Sequence, residues 1–150
     1  MIQRILDMKM KIKRLDEKAV IPKRGSASAA GYDIYSIEEV SLPPGETKLI
    51  KTGLSMEIPE NYFGGVFARS GLAVKEGIRP ANCVAVIDSD YRGELMVPLH
   101  NDSKEERTIT VGERIAQLVI LPFLPVEFEE ADSLSETDRG NGGFGSTGRS

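Results

Sequence analysis

A chain of 150 residues, 40% hydrophobic and 28% charged, is long enough to bury a core as one globular domain and too apolar to remain disordered. Its net charge of -4 lacks the basic excess that general nucleic-acid binding needs, yet leaves room for a small anion held by a few arginines. One cysteine (Cys83) excludes an internal disulfide, and one histidine (His100) argues against a His-based zinc site.

The first residues, "MIQRILDMKMKIKRLDEK", hold no continuous apolar run of the signal-peptide kind, and no stretch reaches membrane-span length. With a lone thiol suited to a reducing compartment, the expected location is the cytoplasm. Within that segment "MKMKIK" alternates, with Met8, Met10 and Ile12 on one side, as a half-buried strand does. "KAVIP" is a short apolar run stopped by Pro22. "EVSLPPGETKLIKTGLSMEIP" predicts two strands around a Pro-Pro-Gly turn, the second ending at Pro59, and "YFGGVFARS" a further strand. "GLAVKEG" at 71–77 is the one convincing helix. "NCVAVID" and "ELMVPLHN" flank the tight "SDYRG", which predicts a hairpin; Leu95, Val97 and Leu99 alternate with Met96, Pro98 and His100. "RTITVG" is another short strand. "RIAQLVILPF" is almost continuously apolar, as in a strand buried on both faces, and a neighbouring subunit is one source of the second cover. Many short strands separated by turns predict an all-β sandwich, barrel or jelly roll. Near residue 131 the composition turns polar and acidic, so the chain divides into a β domain over 1–130 and an arm over 131–150.

Five stretches carry residues suited to chemistry. "AAGYDIYS" places one acid, Asp33, in an otherwise apolar or aromatic strand. "ARSGLAV" sets Arg69, Ser70 and Gly71 at a helix start, where guanidinium, hydroxyl and backbone N–H groups suit phosphate. "NCVAVIDSDYRGE" holds Asp88 and Asp90 about a turn beside Tyr91; either acid is a candidate general base or oxygen ligand for a metal. Turn chemistry accounts for Asp90 and Gly93 but less well for Asn82 and Asp88, which border an apolar strand. "GERIAQL" puts Gln117 in the buried run, with Arg114 nearby as a structural or functional cation. The terminal "RGNGGFGSTGRS" fits one phosphate-loop pattern at 143–148 and comes within one residue of another over 143–150, with Arg149 in the lysine's place, but lacks the strand and helix that both require. Arg139 and Phe144 nonetheless exceed what a linker needs.

Taken in order, "AGYDIYS", "RSGLA", "VIDSDYRGE", "GERIAQL" and "RGNGGFGSTG" resemble the five motifs of the trimeric dUTPase family, from about residue 10 to the C-terminus. The resemblance implies an all-β, jelly-roll or β-clip-like fold and a homotrimer with active sites shared between subunits. One subunit would supply the RSG, AGYD and GERIAQ motifs, a second the Asp88 segment and a third the glycine-rich arm. The implied reaction turns dUTP and water into dUMP and pyrophosphate with Mg²⁺, supplying dUMP for thymidylate synthesis and keeping uracil out of DNA. By the same resemblance Asp88 is the general base, Arg69, Ser70 and Gly71 hold the phosphates, and Gln117 is a substrate-site residue that would touch Mg²⁺ through water. Asn82, Val86, Ile87 and Asp88 read uracil, Tyr91 excludes ribose and Met96 lines the site. Arg139 clamps the terminal phosphate, while Phe144, with Gly145 beside it, closes over the base. Asp33 would touch Mg²⁺ through water, the metal being otherwise held by substrate phosphates. Ala85 stands where the family often has glycine, on an expected wall of the base pocket. Alternatives are a dCTP deaminase-related or bifunctional nucleotide enzyme, which would need a glutamate base, and a non-catalytic nucleotide-binding trimer. Neither direct nucleic-acid binding nor a membrane is expected.

Overall fold

The computed structural model describes residues 8–143. Their regular structure is all strand apart from one helix: β1 Lys11–Arg14, β2 Lys23–Arg24, β3 Tyr32–Tyr35, β4 Val40–Leu42, β5 Thr47–Lys51, β6 Leu54–Glu57, β7 Tyr62–Phe67, α1 Ser70–Glu76, β8 Ile78–Pro80, β9 Val84–Ile87, β10 Met96–Asn101, β11 Arg107–Ile109 and β12 Arg114–Pro122. No helix among these residues is long and apolar enough to cross a membrane.

The largest sheet runs β2-β3-β12-β7-β9, and a second runs β5-β10-β8; β1 pairs with β6 and β11 with β4, all antiparallel. One core joins the two main sheets. Ile34, Val66, Ala85, Ile115 and Leu118 from the first meet Ile50, Ile78, Val97 and Leu99 from the second. The predicted alternation in β10 holds, since Val97 and Leu99 are buried while Met96, Pro98 and His100 are half-buried. The helix also forms where expected and ends at Gly77 in the left-handed conformation.

Three expectations need correction. The first is the long strand after the Pro-Pro-Gly turn, which is interrupted at Thr52–Gly53. Gly53 has φ +66°, and the chain changes strand partner there, from β10 along β5 to β1 along β6. The second is the hairpin around "SDYRG": β9 pairs with β7 and β10 with β5 and β8, so residues 88–95 cross from one sheet to the other. Thirdly, the "MKMKIK" strand begins only at Lys11, although Met10 and Ile12 do pack on the core.

β12 is central, with β3 on one side and β7 on the other. One of its faces enters the core through Ile115 and Leu118. On the other face Val119 and Leu121, together with Ala29, Ala30, Phe67 and Cys83, line an open, largely apolar hollow. After Pro122 no described residue forms helix or strand, and Leu124, Val126 and Phe128 alternate with Pro125 and Glu127, Phe128 being 93% exposed.

Candidate active site

Three of the predicted motifs meet at one end of the large sheet. Asp33 on β3 lies in register with Gln117 on β12, and Gln117 with Phe67 on β7. Two residues beyond Phe67, the Arg69 Nε donates to Asp33 Oδ1 at 3.1 Å, and Arg69 Nη1 donates to the Arg114 carbonyl at 3.2 Å. Arg114 Nη1 donates to the other Asp33 oxygen at 3.4 Å. Gln117 Nε2 donates to the Ala68 carbonyl at 2.9 Å, fixing the backbone just before Arg69. Its amide oxygen faces Gly31, where an added Cβ would overlap it.

Asp33 is thus held between two guanidiniums. A half-buried carboxylate with two such partners orients both arginines, because charge-assisted bonds are short and directional. The arginines open onto a cleft of about 600 Å³, with Gly71, Lys75, Glu76 and Glu113 also on its wall. Ser70 and Gly71 begin α1, where backbone N–H groups lack intrahelical acceptors, and the Gly71 position is sterically open. Arg107 engages the two acids on the wall, with Nε 2.5 Å from Glu76 and Nη2 2.5 Å from Glu113. Its pKa is raised, chiefly by the hydrogen bond to Glu76. The cleft therefore presents Arg69, Arg114 and Lys75, with Arg107 offsetting part of the charge of Glu76 and Glu113, a setting suited to phosphates.

The second group lies elsewhere. Val86, Ile87, Asp88, Tyr91 and Met96 line one pocket of about 270 Å³, with Leu49, Glu94 and Leu95. Five predicted site residues thus converge there without hairpin pairing. Asp90 faces a different hollow, beside Lys9, Lys11 and Arg92, which separates the two candidate bases. Sequence reading missed Leu49 and Glu94. Leu49 carried a signal: in "TKLIK" it is an apolar residue opposite the core-facing Ile50 and remains 55% exposed.

Asn82 stands apart from this pocket, at the turn before β9, where its carbonyl accepts from the Val84 N–H. Ala85 is not on the pocket wall; β9 turns it inward, opposite Val66, to pack in the core. Arg139 Nε donates to the Gly142 carbonyl within a local turn over Thr137–Gly142. Phe144 and Gly145 lie outside the described residues.

The two groups do not meet within one chain. Ile87 pairs with Gly64, so Asp88 is level with Phe63, six positions before Arg69 and about 20 Å away along extended chain. The Arg69 guanidinium is also turned away from β9, across β12 toward β3.

The donors present do not form a resident metal cage, since no group of three His, Cys, Asp or Glu side chains capable of holding a metal occurs among the described residues. Both Asp33 oxygens already accept from arginine.

A dUTPase family model matches residues 17–148. The deoxyuridine 5'-triphosphate nucleotidohydrolase of Nautilia profundicola is 52% identical over 142 residues, covering 95% of this chain and 100% of that protein. The dUTPase of Staphylococcus bacteriophage 80alpha, solved with dUPNHPP, has TM-score 0.87 and 34% identity, covering 94% of this chain and 99% of that one. A mutant dUTPase from phage phi11 of S. aureus, solved to reveal the coordination of a structural Mg(II) ion, has TM-score 0.78 and 29% identity over 84% of this chain and 98% of that one. An all-β chain that brings the motifs together in this way, and matches these proteins over nearly its whole length, belongs to the dUTPase family.

Proposed function

We propose that this chain hydrolyses dUTP to dUMP and pyrophosphate in sites completed between the subunits of a homotrimer. The observation that carries the shared site is the separation of Asp88 from Arg69 within one chain. A nucleotide seated in the Asp88 pocket of one subunit would reach the arginine cleft of another. The apolar face of β12 supports the assembly, because Val119, Leu121 and Phe67 are only half-buried by the described residues and line an open hollow. The exposed alternation of Leu124, Val126 and Phe128 likewise suits an arm that lies on a neighbour. Residues 1–130 form the β domain and 131–150 the arm that brings Arg139 and Phe144 to a third subunit's site.

Asp88 takes a proton from the attacking water, whose oxygen bonds to the α-phosphorus. The bond from that phosphorus to the bridging oxygen breaks, and pyrophosphate leaves with the electron pair. Arg69, Ser70 and the Gly71 backbone hold the phosphates, and Arg139 clamps the terminal one. Asp33 sets the direction of Arg69 and Arg114, while Gln117 fixes the turn that carries Arg69. Mg²⁺ on the triphosphate supplies charge neutralisation and a fixed phosphate conformer. Val86 and Ile87 present backbone groups to the uracil edge, which the Asn82 amide would have to approach from the turn before β9, leaving no room for a 5-methyl group and mispairing cytosine. Tyr91 packs against deoxyribose where a 2′-hydroxyl would clash, Met96 lines the floor, and Phe144 stacks over the base beside Gly145. Family membership supports a cytoplasmic location for this reaction.

Pyrophosphate release measured with dUTP, dTTP, dCTP and UTP, each with and without Mg²⁺, tests the reading. Rapid release from dUTP alone, dependent on Mg²⁺, is the expected result; ammonia from dCTP would overturn it.

A further inference from the structure

The segment over 88–95 carries both Asp88 and Tyr91, yet no strand partner holds it. It is fastened instead by the chain around Gly53. Thr52 Oγ1, fully buried, donates to the Leu95 carbonyl at 2.5 Å. Ser55 Oγ donates to the Arg92 carbonyl at 2.7 Å, and the Leu95 N–H to the Leu54 carbonyl at 2.7 Å. Between these lies a bond from a side chain of the segment itself: the Gly53 N–H donates to Glu94 Oε1 at 2.8 Å.

Glu94 is half-buried on the wall of the Asp88 pocket. Its carboxylate meets a backbone point with little freedom, since a Cβ at Gly53 would lie 3.0 Å from both Ala19 and Asp16. Its backbone carbonyl, in turn, accepts the Tyr91 hydroxyl at 2.9 Å. The Tyr91 ring is also confined from beneath, as a Cβ at Gly93 would stand 2.6 Å from Cζ. One residue therefore joins the tyrosine to the fixed turn.

We infer that Glu94 is a positioning residue for sugar discrimination: its carboxylate, anchored on the Gly53 N–H, fixes the carbonyl from which the Tyr91 ring is held in the pocket. This rests on the reading that Tyr91 excludes ribose. Removing the carboxylate leaves the Gly53 N–H unpaired and takes away one of the two ties on the Glu94 peptide, the other being the Leu95 N–H on the Leu54 carbonyl, so the carbonyl can shift and the ring yield to a 2′-hydroxyl. The change falls on the choice between dUTP and UTP rather than on Asp88. Gln keeps an oxygen acceptor at the same reach and so retains the anchor.

The test compares kcat/KM for dUTP and UTP in the full-length protein. Glu94→Ala should lower the dUTP preference about tenfold, chiefly by improving UTP, because small misplacements of a confining group are amplified in the transition state. Glu94→Gln should stay within about threefold of wild type, since a neutral acceptor still satisfies the N–H. Gly93→Ala, which displaces the ring without touching the anchor, should reproduce the Glu94→Ala loss and serves if that variant folds poorly. Equal falls in dUTP and UTP turnover with an unchanged preference would overturn the inference, as would a Gln variant no better than Ala. Tyr91→Ala separates the two levels. If it relaxes the preference and Glu94→Ala and Gly93→Ala do not, only the inference fails; if it too leaves the preference intact, the sugar reading fails and takes the inference with it.

Discussion

Mixing two inactive variants tests the division of the site directly. Asp88→Asn removes the base from its pocket, and Arg69→Ala removes the guanidinium that lies about 20 Å away along the same chain. If one site draws Asp88 from one subunit and Arg69 from another, co-assembled trimers contain whole sites. In a random equal mixture each of the two positions is intact with probability one half, so about one quarter of the sites, and of wild-type turnover, should return. If both residues served from a single chain, every site would lack one of them and no activity would return. The assay is pyrophosphate release from dUTP by proteins unfolded and refolded together, with different affinity tags on the two variants. Sequential purification through both tags shows that mixed trimers formed. Mixed trimers no more active than the separately refolded variants would refute the shared site.

Asp88→Asn alone should bind dUTP near normally, by calorimetry, while losing at least about a hundredfold in kcat, the usual scale of a general base. Arg139→Ala should cost about 2–4 kcal/mol in kcat/KM for dUTP if the guanidinium meets developing charge. Asp33→Asn, which releases the two arginines, should raise the KM for dUTP about tenfold, read in steady-state kinetics, with a smaller effect on kcat. Truncation after Thr137 should leave the secondary structure and assembly intact by circular dichroism and ultracentrifugation, with activity reduced at least about tenfold.

What the sequence disclosed divides by range. The β10 alternation, the buried run of β12 and the helix after Arg69 are local patterns, and each formed where its own residues placed it. Asp33 and Gln117 were legible as polar residues in apolar settings and Arg69 as a cation at a helix start, and adjacent strands do bring them together. The partners of β9 and β10 were not legible. A turn-rich stretch such as "SDYRG" shows that the chain changes course, but the identity of the next strand depends on contacts with distant β5, β7 and β8. Ala85 failed for a related reason: which face of β9 looks inward is set by register with β7. Glu94 was hidden because a glutamate beside a turn normally faces water, and its partner is a backbone group 41 positions earlier.

The half-buried outer face of β12 and the bare apolar residues after Pro122 also bear on dosage. In the proposed trimer, a subunit that leaves Leu124 at 85% and Phe128 at 93% exposure would gain further hydrophobic stabilisation by meeting copies of itself. In a shared-site assembly, dilution then removes stability and catalysis together, so output rises more steeply than the amount of protein in the range where subunits associate. On that reading the amount of enzyme synthesised would itself set specific activity.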